Sequence, residues 1–136
     1  MSQENVELVR QLIALGEQAS ESGLTSPPPD LVAPDIEIDL SRRVFNPATY
    51  RGFDGWLRLN DELREVWAEW KVTPERIVAV GDSVVSIETV RGRGRGSGLE
   101  TEARYASIWT FANGRVTRVQ LGFDPDEALK AVGLAE

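Results

Sequence analysis

Apolar residues recur at the spacing of a helix near the N-terminus. From Glu4 to Ser22 they follow steps of three and four residues, so they share one face of a predicted amphipathic helix. The members of this stripe are Val6, Leu8, Val9, Leu12, Ile13, Leu15, Gly16 and Ala19. Gly23 is predicted to end the helix, and Pro27 to Pro29 make a stiff connection, because proline fits neither a helix interior nor a sheet ladder.

A strict alternation of apolar and polar residues follows between Asp35 and Leu40. Isoleucine and leucine occupy one side and three acidic residues occupy the other, which predicts a strand with one solvated face. A short helical turn is predicted just before it, at Asp30 to Ala33. The stretch from Ser41 to Gly52 follows neither period, and we interpret it as irregular.

A second helical stripe comes next and is followed by strands. The stripe comprises Trp56, Leu59, Leu63, Val66, Trp67 and Trp70, and it predicts a long helix that covers a sheet. From Lys71 onward the period changes to two, which predicts strands at Arg76 to Val80, Ser83 to Arg91, Leu99 to Ala112 and Arg115 to Phe123. Gly81-Asp82 and Asn113-Gly114 are typical of tight turns, and the run from Gly92 to Gly98 predicts a bend, so these strands form a meander.

The sequence closes with the signals of a short helix. Asp124, Pro125 and Glu127 are typical of an N-cap, a first helical residue and an acid that reaches back to the cap, and Gly133 is placed where such a helix ends. No repeat, linker or change of composition divides the sequence. We therefore expect a single α+β domain that spans residues 1–136.

The charge balance narrows the choice of partners. Asp and Glu number 22 against 15 Lys and Arg, a net charge of -7, which disfavours binding to nucleic acid phosphates. The absence of cysteine fits a reducing cytoplasm. The first five residues include one acid and no basic residue, and no apolar run is long enough to span a bilayer. We expect a cytoplasmic protein with neither a nucleic-acid nor a membrane partner.

The sequence contains no histidine, which removes the commonest general base and the commonest metal ligand. No other spacing of residues is typical of a metal site. Any chemistry must then rest on carboxylates, Tyr, Lys or Arg. We expect no cofactor and no metal ion.

Two residues of the predicted strands are candidates for such chemistry. Parity places Tyr105 with the more apolar set of its strand, which we expect to face inward. Glu88 has apolar neighbours on both faces of its strand, so parity leaves its direction open. If Glu88 points inward, desolvation would raise its pKa into the range of a general acid or base, and Tyr105 could donate to it or to a substrate oxygen. If Glu88 points outward, it would pair with Arg104 across the strands or with a neighbouring arginine in a dimer face.

Several local patterns carry a resemblance to a known superfamily. They are Pro34-Asp35-Ile36-Glu37, Tyr50-Arg51-Gly52-Phe53-Asp54-Gly55, Trp109-Thr110-Phe111, Asn113-Gly114-Arg115-Val116 and Phe123-Asp124. With the order of elements, they resemble the SnoaL-like branch of the nuclear-transport-factor-two and ketosteroid-isomerase superfamily over nearly the whole chain. The resemblance implies a cone-shaped, curved antiparallel sheet packed against N-terminal helices. It also implies an apolar pocket on the concave side of the sheet and a homodimer through the outer sheet face.

The resemblance further implies where the catalytic residues of relatives would fall. The Asp base and the oxyanion-hole Tyr and Asp of ketosteroid isomerases would fall near Leu40, Leu12 and Ser107. The last-strand Asp of the epoxide hydrolases would fall near Leu121. This sequence has none of these residues. We expect ligand contacts from Leu40, Arg43, Tyr50, Trp56, Ser107, Trp109 and Leu121.

Two hypotheses about function follow. In the first, the protein binds a small, largely apolar molecule and acts as a cofactor-independent isomerase, cyclase or hydrolase. Its chemistry would come from Glu88, Tyr105 and an arginine beside the pocket mouth, namely Arg42, Arg43 or Arg51. In the second, the same fold is a noncatalytic ligand-binding or dimerisation module. A buried ionisable group in a roomy cavity would distinguish the first hypothesis from the second.

Overall fold

The protein forms three helices and six strands in the residues that the structure describes. The structure, a computed structural model, describes residues 2–22, 28–42 and 48–133. The helices are α1 (Ser2–Ser22), α2 (Gly52–Val66) and α3 (Pro125–Ala131). The strands are β1 (Val32–Asp39), β2 (Thr49–Arg51), β3 (Trp67–Val80), β4 (Ser83–Gly94), β5 (Glu100–Ala112) and β6 (Arg115–Phe123).

The strands form one curved, unclosed sheet in the order β2-β1-β6-β5-β4-β3. The strands from β3 to β6 make the predicted antiparallel meander, and β1 joins the free side of β6 in parallel. The α+β fold is therefore confirmed, with a sheet that is mixed rather than wholly antiparallel. The parallel pair joins strands that are distant in the sequence, which no local pattern can report. Across the described ranges, none of the helices has the length and apolar character needed to cross a membrane.

The sheet is covered on both sides, which decides the residues that are buried. We call the side toward α1 and α2 the inner face and the side toward α3 the outer face. The inner core consists mainly of Val9, Leu12, Ile13, Ile36, Ile38, Leu59, Val84, Phe111, Val116 and Val119. The outer core is smaller and consists of Val85, Ile87, Ala106, Ile108, Phe123, Ala128 and Leu129. Burying one large aliphatic side chain stabilises the fold by roughly 1.5–3 kcal/mol.

The second helix is shorter than its apolar stripe predicts. α2 ends at Val66, and Trp67 and Trp70 lie in β3, so the prediction that places them on the helix is wrong. A bulge follows Trp67, and the two tryptophans pair with Gly94 and Gly92, which share one face of β4. The bulge puts residues three positions apart on the same face of a strand. This arrangement reproduces the spacing of a helix.

The turn between β4 and β5 fixes the end of α2. The backbone N–H of Arg95 donates to the carbonyl of Val66 at 2.9 Å, and its side-chain Nε donates to the carbonyl of Arg64 at 2.7 Å. These carbonyls belong to the last turn of the helix, where no helical N–H group is available to donate to them. The predicted glycine-rich bend therefore also caps α2.

The segment around β1 and β2 differs from its prediction. β2 has three residues and lies within the stretch from Ser41 to Gly52, which the sequence predicts to be irregular. So short a strand shows no period, and the sequence therefore does not predict it. β1 begins at Val32, inside the predicted helical turn, and its register shifts between Val32 and Glu37, which breaks the alternation there. Gly23 and Pro27, which are predicted to end α1 and to stiffen the connection, lie outside the described residues.

The tight turns and the N-cap of α3 are confirmed. Asn113 and Gly114 have positive φ values of 55° and 77°, as a two-residue hairpin turn requires. Asp124 caps α3 by accepting a hydrogen bond from the backbone N–H of Asp126 at 3.2 Å. Glu127 does not reach back to the cap, because its carboxylate pairs with Arg42.

We predict that Gly92→Ala destabilises the protein. A Cβ atom at Gly92 would lie 2.8 Å from Cε3 of Trp67, so the indole would have to move. Overpacking of this kind costs about 1–3 kcal/mol, which urea denaturation followed by tryptophan fluorescence can measure. Gly96→Ala is the matched control, because a Cβ atom there meets nothing within 4 Å. Equal unfolding midpoints for the two variants would contradict the prediction.

Candidate functional site

Glu88 lies in the middle of β4 and points to the inner face. Val84, which has the same parity on the strand, belongs to the inner core, and Ile87, which has the opposite parity, belongs to the outer core. The Glu88 side chain is buried, with 3% of its surface exposed. The direction that the sequence leaves open is therefore inward. Arg104, its partner in the other alternative, pairs with Glu75 at 2.7 Å.

Two serines surround the Glu88 carboxyl group. Ser107 on β5 donates its hydroxyl to Oε1 of Glu88 at 2.9 Å. Ser86, two residues before Glu88 on β4, accepts a hydrogen bond from Nε1–H of Trp109 at 2.9 Å. Both serines are fully buried. Oε2 of Glu88 has no hydrogen-bond partner among the described residues.

Burial changes the charge state of this carboxyl group. Loss of water around Glu88 raises its pKa to about 7, and the hydroxyls of Ser107 and Ser86 oppose part of that rise. Desolvation dominates because two hydroxyl groups replace only part of the hydration that a carboxylate loses. Both protonation states of Glu88 are therefore populated at neutral pH. A group in this condition can both accept and return a proton.

Tyr105 and Trp109 of β5 share the inner face with Glu88. Tyr105 stands directly opposite Glu88 on β5, and Trp109 lies farther along the same side of that strand. Both rings are partly exposed, whereas Ser107 between them is buried. On β3 the residue opposite Glu88 is Pro74, which is partly buried. Tyr105 and Trp109 are therefore the partly exposed rings of β5 that stand nearest to the carboxyl group on the inner face.

The other predicted contact residues fall into two groups. Leu40 and Tyr50 are buried in the inner core, and the Tyr50 hydroxyl donates to a carboxylate of α2. Trp56 and Leu121 are partly exposed and pack against that core. The Trp56 indole Nε1 is buried and has no hydrogen-bond partner in the part of the chain that the structure describes. Arg43 lies outside the described residues.

The arginines beside that segment are engaged with carboxylates. Arg42 pairs with Glu127 and lies over the ring of Phe123, 4.3 Å from its centroid. Arg51 pairs with Glu37 at 2.7 Å. Phe123 belongs to the outer core, and Glu37 has the parity opposite to the buried isoleucines of β1. Both arginines therefore make ion pairs on the outer face, away from Glu88.

Ser86 is the residue of this cluster that no sequence pattern singles out. Ser86 is two residues before Glu88, so the two side chains lie on the same face of β4. If Glu88 points inward, Ser86 does so too. Ser107 is selected only through the family resemblance. Its hydrogen bond to Glu88 depends on the pairing of β4 with β5, which parity along one strand cannot provide.

A separate groove lies on the outer face. Its volume is about 400 Å³, and it is open to solvent. It is lined by Glu75, Arg76, Ile87, Arg104, Asp124, Pro125, Asp126 and Leu129. Ile87 points away from the side of β4 that carries Glu88, so the sheet itself separates the groove from the carboxyl group. The groove and Glu88 do not form one site.

Comparison with known families identifies the relatives of the chain. The family described as the SnoaL-like domain matches residues 27–119. The chain belongs to this SnoaL-like family. The matched range contains Glu88, Tyr105 and Ser107, so the candidate site lies within the SnoaL-like domain. No curated protein matches the sequence.

Solved structures have the same fold at low sequence identity. An NTF2-like protein of unknown function from Burkholderia pseudomallei has a TM-score of 0.74 and 20% identity, over 98% of this chain and 99% of that one. A putative SnoaL-like polyketide cyclase from Jannaschia sp. CCS1 has a TM-score of 0.74 and 20% identity, over 100% and 96%. An LEH-like epoxide hydrolase from M. tuberculosis has a TM-score of 0.67 and 16% identity, over 96% and 86%. These similarities establish the fold alone.

We predict that this SnoaL-like protein loses stability as the pH rises through the titration range of Glu88. The pKa of about 7 in the folded state lies above the ordinary value of 4.5, so the native state holds the proton more tightly than the unfolded chain does. The stabilisation by the protonated form is complete below about pH 4.5 and is lost as the pH rises through about 7. The full difference in unfolding free energy is roughly 3 kcal/mol.

Glu88→Gln isolates this effect, because the amide stays neutral and its oxygen can still accept a hydrogen bond from Ser107. Urea denaturation measures the unfolding free energies of Glu88→Gln and the wild type. The value for Glu88→Gln minus that for the wild type should rise by roughly 3 kcal/mol between about pH 4.5 and about pH 8. Glu65→Gln, on the exposed side of α2, is the matched control and should show no such trend. A difference for Glu88→Gln that does not vary with pH would rule out the raised pKa.

Proposed function

We propose that this SnoaL-like protein binds a small, largely apolar molecule on the inner face of its sheet and moves a proton on that molecule through Glu88, without a cofactor. The observation that supports the proposal is a buried carboxyl group with a pKa of about 7, whose Oε2 makes no hydrogen bond to the described residues. Structural carboxylates are usually exposed or paired. Buried groups with strongly shifted pKa values are instead typical of functional sites.

Proton transfer at carbon is the reaction class that fits such a group. The ionised carboxylate accepts a proton from a carbon that lies between a carbonyl group and a carbon–carbon double bond, and the electron pair of the broken C–H bond forms a dienolate. The neutral acid then returns the proton to the far carbon of the dienolate, which moves the double bond and regenerates the carboxylate. Protons and electrons balance without an oxidant or a reductant, and the product is an isomer of the substrate.

The aromatic neighbours of Glu88 favour a flat, apolar substrate. The partly exposed ring of Trp109 offers a surface for packing beside the carboxyl group. Tyr105 stands opposite Glu88, where its hydroxyl could donate to a substrate oxygen as negative charge develops on it. Trp56 and Leu121, which pack against the same core, would extend the contact surface.

The family resemblance makes isomerisation or cyclisation a better fit than epoxide hydrolysis. The last-strand Asp of the epoxide hydrolases is replaced by Leu121, which cannot orient or deprotonate a water molecule. Ser107 stands where the resemblance places an oxyanion-hole Asp, and here it donates to Glu88 from the neighbouring strand. The carboxyl group of the proposed site is therefore supplied by β4.

A noncatalytic binding or dimerisation module is the second candidate. Leu12 and Leu40, which stand where the resemblance places catalytic residues of ketosteroid isomerases, are buried in the inner core. An inner face filled by its own side chains would suit a noncatalytic module that uses the outer sheet face for binding or dimerisation. The homodimer through the outer sheet face and the cytoplasmic location stay predictions under both candidates.

A ligand screen followed by an exchange measurement tests the proposal. Steroids, aromatic polyketides and terpene epoxides are screened by thermal shift against the wild type, Glu88→Gln and Glu65→Gln. A ligand at a hundred times its Kd should stabilise the protein by about 2.7 kcal/mol. Each bound carbonyl compound is then incubated with protein in D₂O, and deuterium uptake beside the carbonyl group is measured by mass spectrometry.

We expect the wild type to catalyse deuterium uptake in at least one bound compound. Glu88→Gln should reduce the rate by about 100- to 10,000-fold, because general acid–base groups contribute on that scale. Glu65→Gln should retain the wild-type rate, because its side chain is exposed on α2. Binding without exchange that depends on Glu88 would favour the noncatalytic module. Failure of every compound class to bind would contradict the proposal.

A further inference from the structure

The two oxygens of Glu88 have different surroundings. Oε1 accepts a hydrogen bond from Ser107 at 2.9 Å, and Oε2 has no partner among the described residues. We infer that Ser107 and Ser86 are positioning residues that hold the carboxyl group so that Oε2 is the atom that exchanges a proton with the ligand. This inference rests on the proposed function of Glu88.

The strand register explains how Ser107 can hold one oxygen. Ser107 pairs directly with Ser86, and Glu88 lies two residues farther along β4, so the hydroxyl of Ser107 reaches the carboxyl group diagonally. A hydroxyl that donates to Oε1 keeps that oxygen an acceptor. As long as Ser107 donates to Oε1, the acidic proton of neutral Glu88 resides on Oε2. Because Ser107 is fully buried, water does not compete for this hydrogen bond.

Ser86 is itself oriented by Trp109. The indole Nε1–H can only donate, and it donates to Oγ of Ser86 at 2.9 Å. The hydroxyl hydrogen of Ser86 is therefore available to the Glu88 carboxyl group beside it. A hydrogen bond from this hydroxyl lowers the pKa of Glu88. The partly exposed ring of Trp109 is thereby linked through Ser86 to the carboxyl group.

Among the described residues, Pro74 on β3 and the titratable Tyr105 on β5 stand directly opposite Glu88. α1 contributes Leu8 and Leu12 to the inner core, whereas its charged residues described by the structure are exposed. The charged neighbours of Pro74 and Tyr105, namely Glu75 and Arg104, pair with each other at 2.7 Å on the outer face. The two serines are therefore the polar groups whose removal should change the titration of Glu88 most directly.

The test measures the titration of Glu88 in the protein without ligand. Carbon-13 NMR of protein labelled at the glutamate carboxyl carbons gives the pKa, and Glu88→Gln assigns the signal. Ser107→Ala should raise the pKa of Glu88 by about one unit, because it removes a hydrogen bond that favours the ionised form. Ser86→Ala should shift it in the same direction. Trp109→Phe, which removes Nε1–H but keeps a ring, should give a smaller rise.

Two further variants separate positioning from a general effect on folding. Ser107→Thr keeps the hydroxyl group and should keep the titration near that of the wild type. Ser83→Ala makes the same change on β4 at the opposite parity and should leave Glu88 unaffected. An unchanged Glu88 titration in both Ser107→Ala and Ser86→Ala would overturn this inference and leave the proposed function standing. A wild-type Glu88 that titrates near 4.5 would overturn both.

Discussion

The hydrogen bond from Ser107 to Glu88 joins β5 to β4 inside the inner core, and it requires both strands to keep their register. Side chains alternate along a strand, so a shift of one residue would turn this carboxyl group to the outer face and bring Ile87 or Thr89 inside. The turn at Gly81-Asp82 and the long pairing of β4 with both neighbouring strands hold the register. The candidate site is thus positioned by the centre of the sheet and not by a loop.

A bulge in β3 keeps positive charge away from this carboxyl group. Pro74 pairs with Glu88, and strict alternation would place Arg76 on the same inner face. The register instead shifts between Pro74 and Arg76, which turns the guanidinium outward and brings Ile77 into contact with the inner core. An arginine beside Glu88 would favour the ionised form and lower its pKa. By holding Arg76 on the outer face, the bulge therefore helps to keep the pKa of Glu88 raised.

Alternation and turn chemistry predict the central strands well, and β6 has the bounds that the sequence predicts. The direction of Glu88 could not be predicted, because both faces of β4 are buried and Val84 and Val85 therefore look alike in the sequence. The sequence places Trp67 on a helix because the bulge in β3 restores helical spacing there. Contacts between strands, such as that from Ser107 to Glu88, need a register that a single sequence does not provide.

The energetics of Glu88 argue against a purely structural role. It is the only charged side chain that is buried in the ranges the structure describes, and its burial weakens the fold above neutral pH. A network selected for stability would pair both oxygens, or would place an amide or an apolar side chain at this position. The positions where relatives would carry their carboxylates, at Leu40 and Leu121, are apolar in this chain. A SnoaL-like sheet needs only an apolar inner face to fold, so the fold itself does not fix which strand carries a buried carboxyl group.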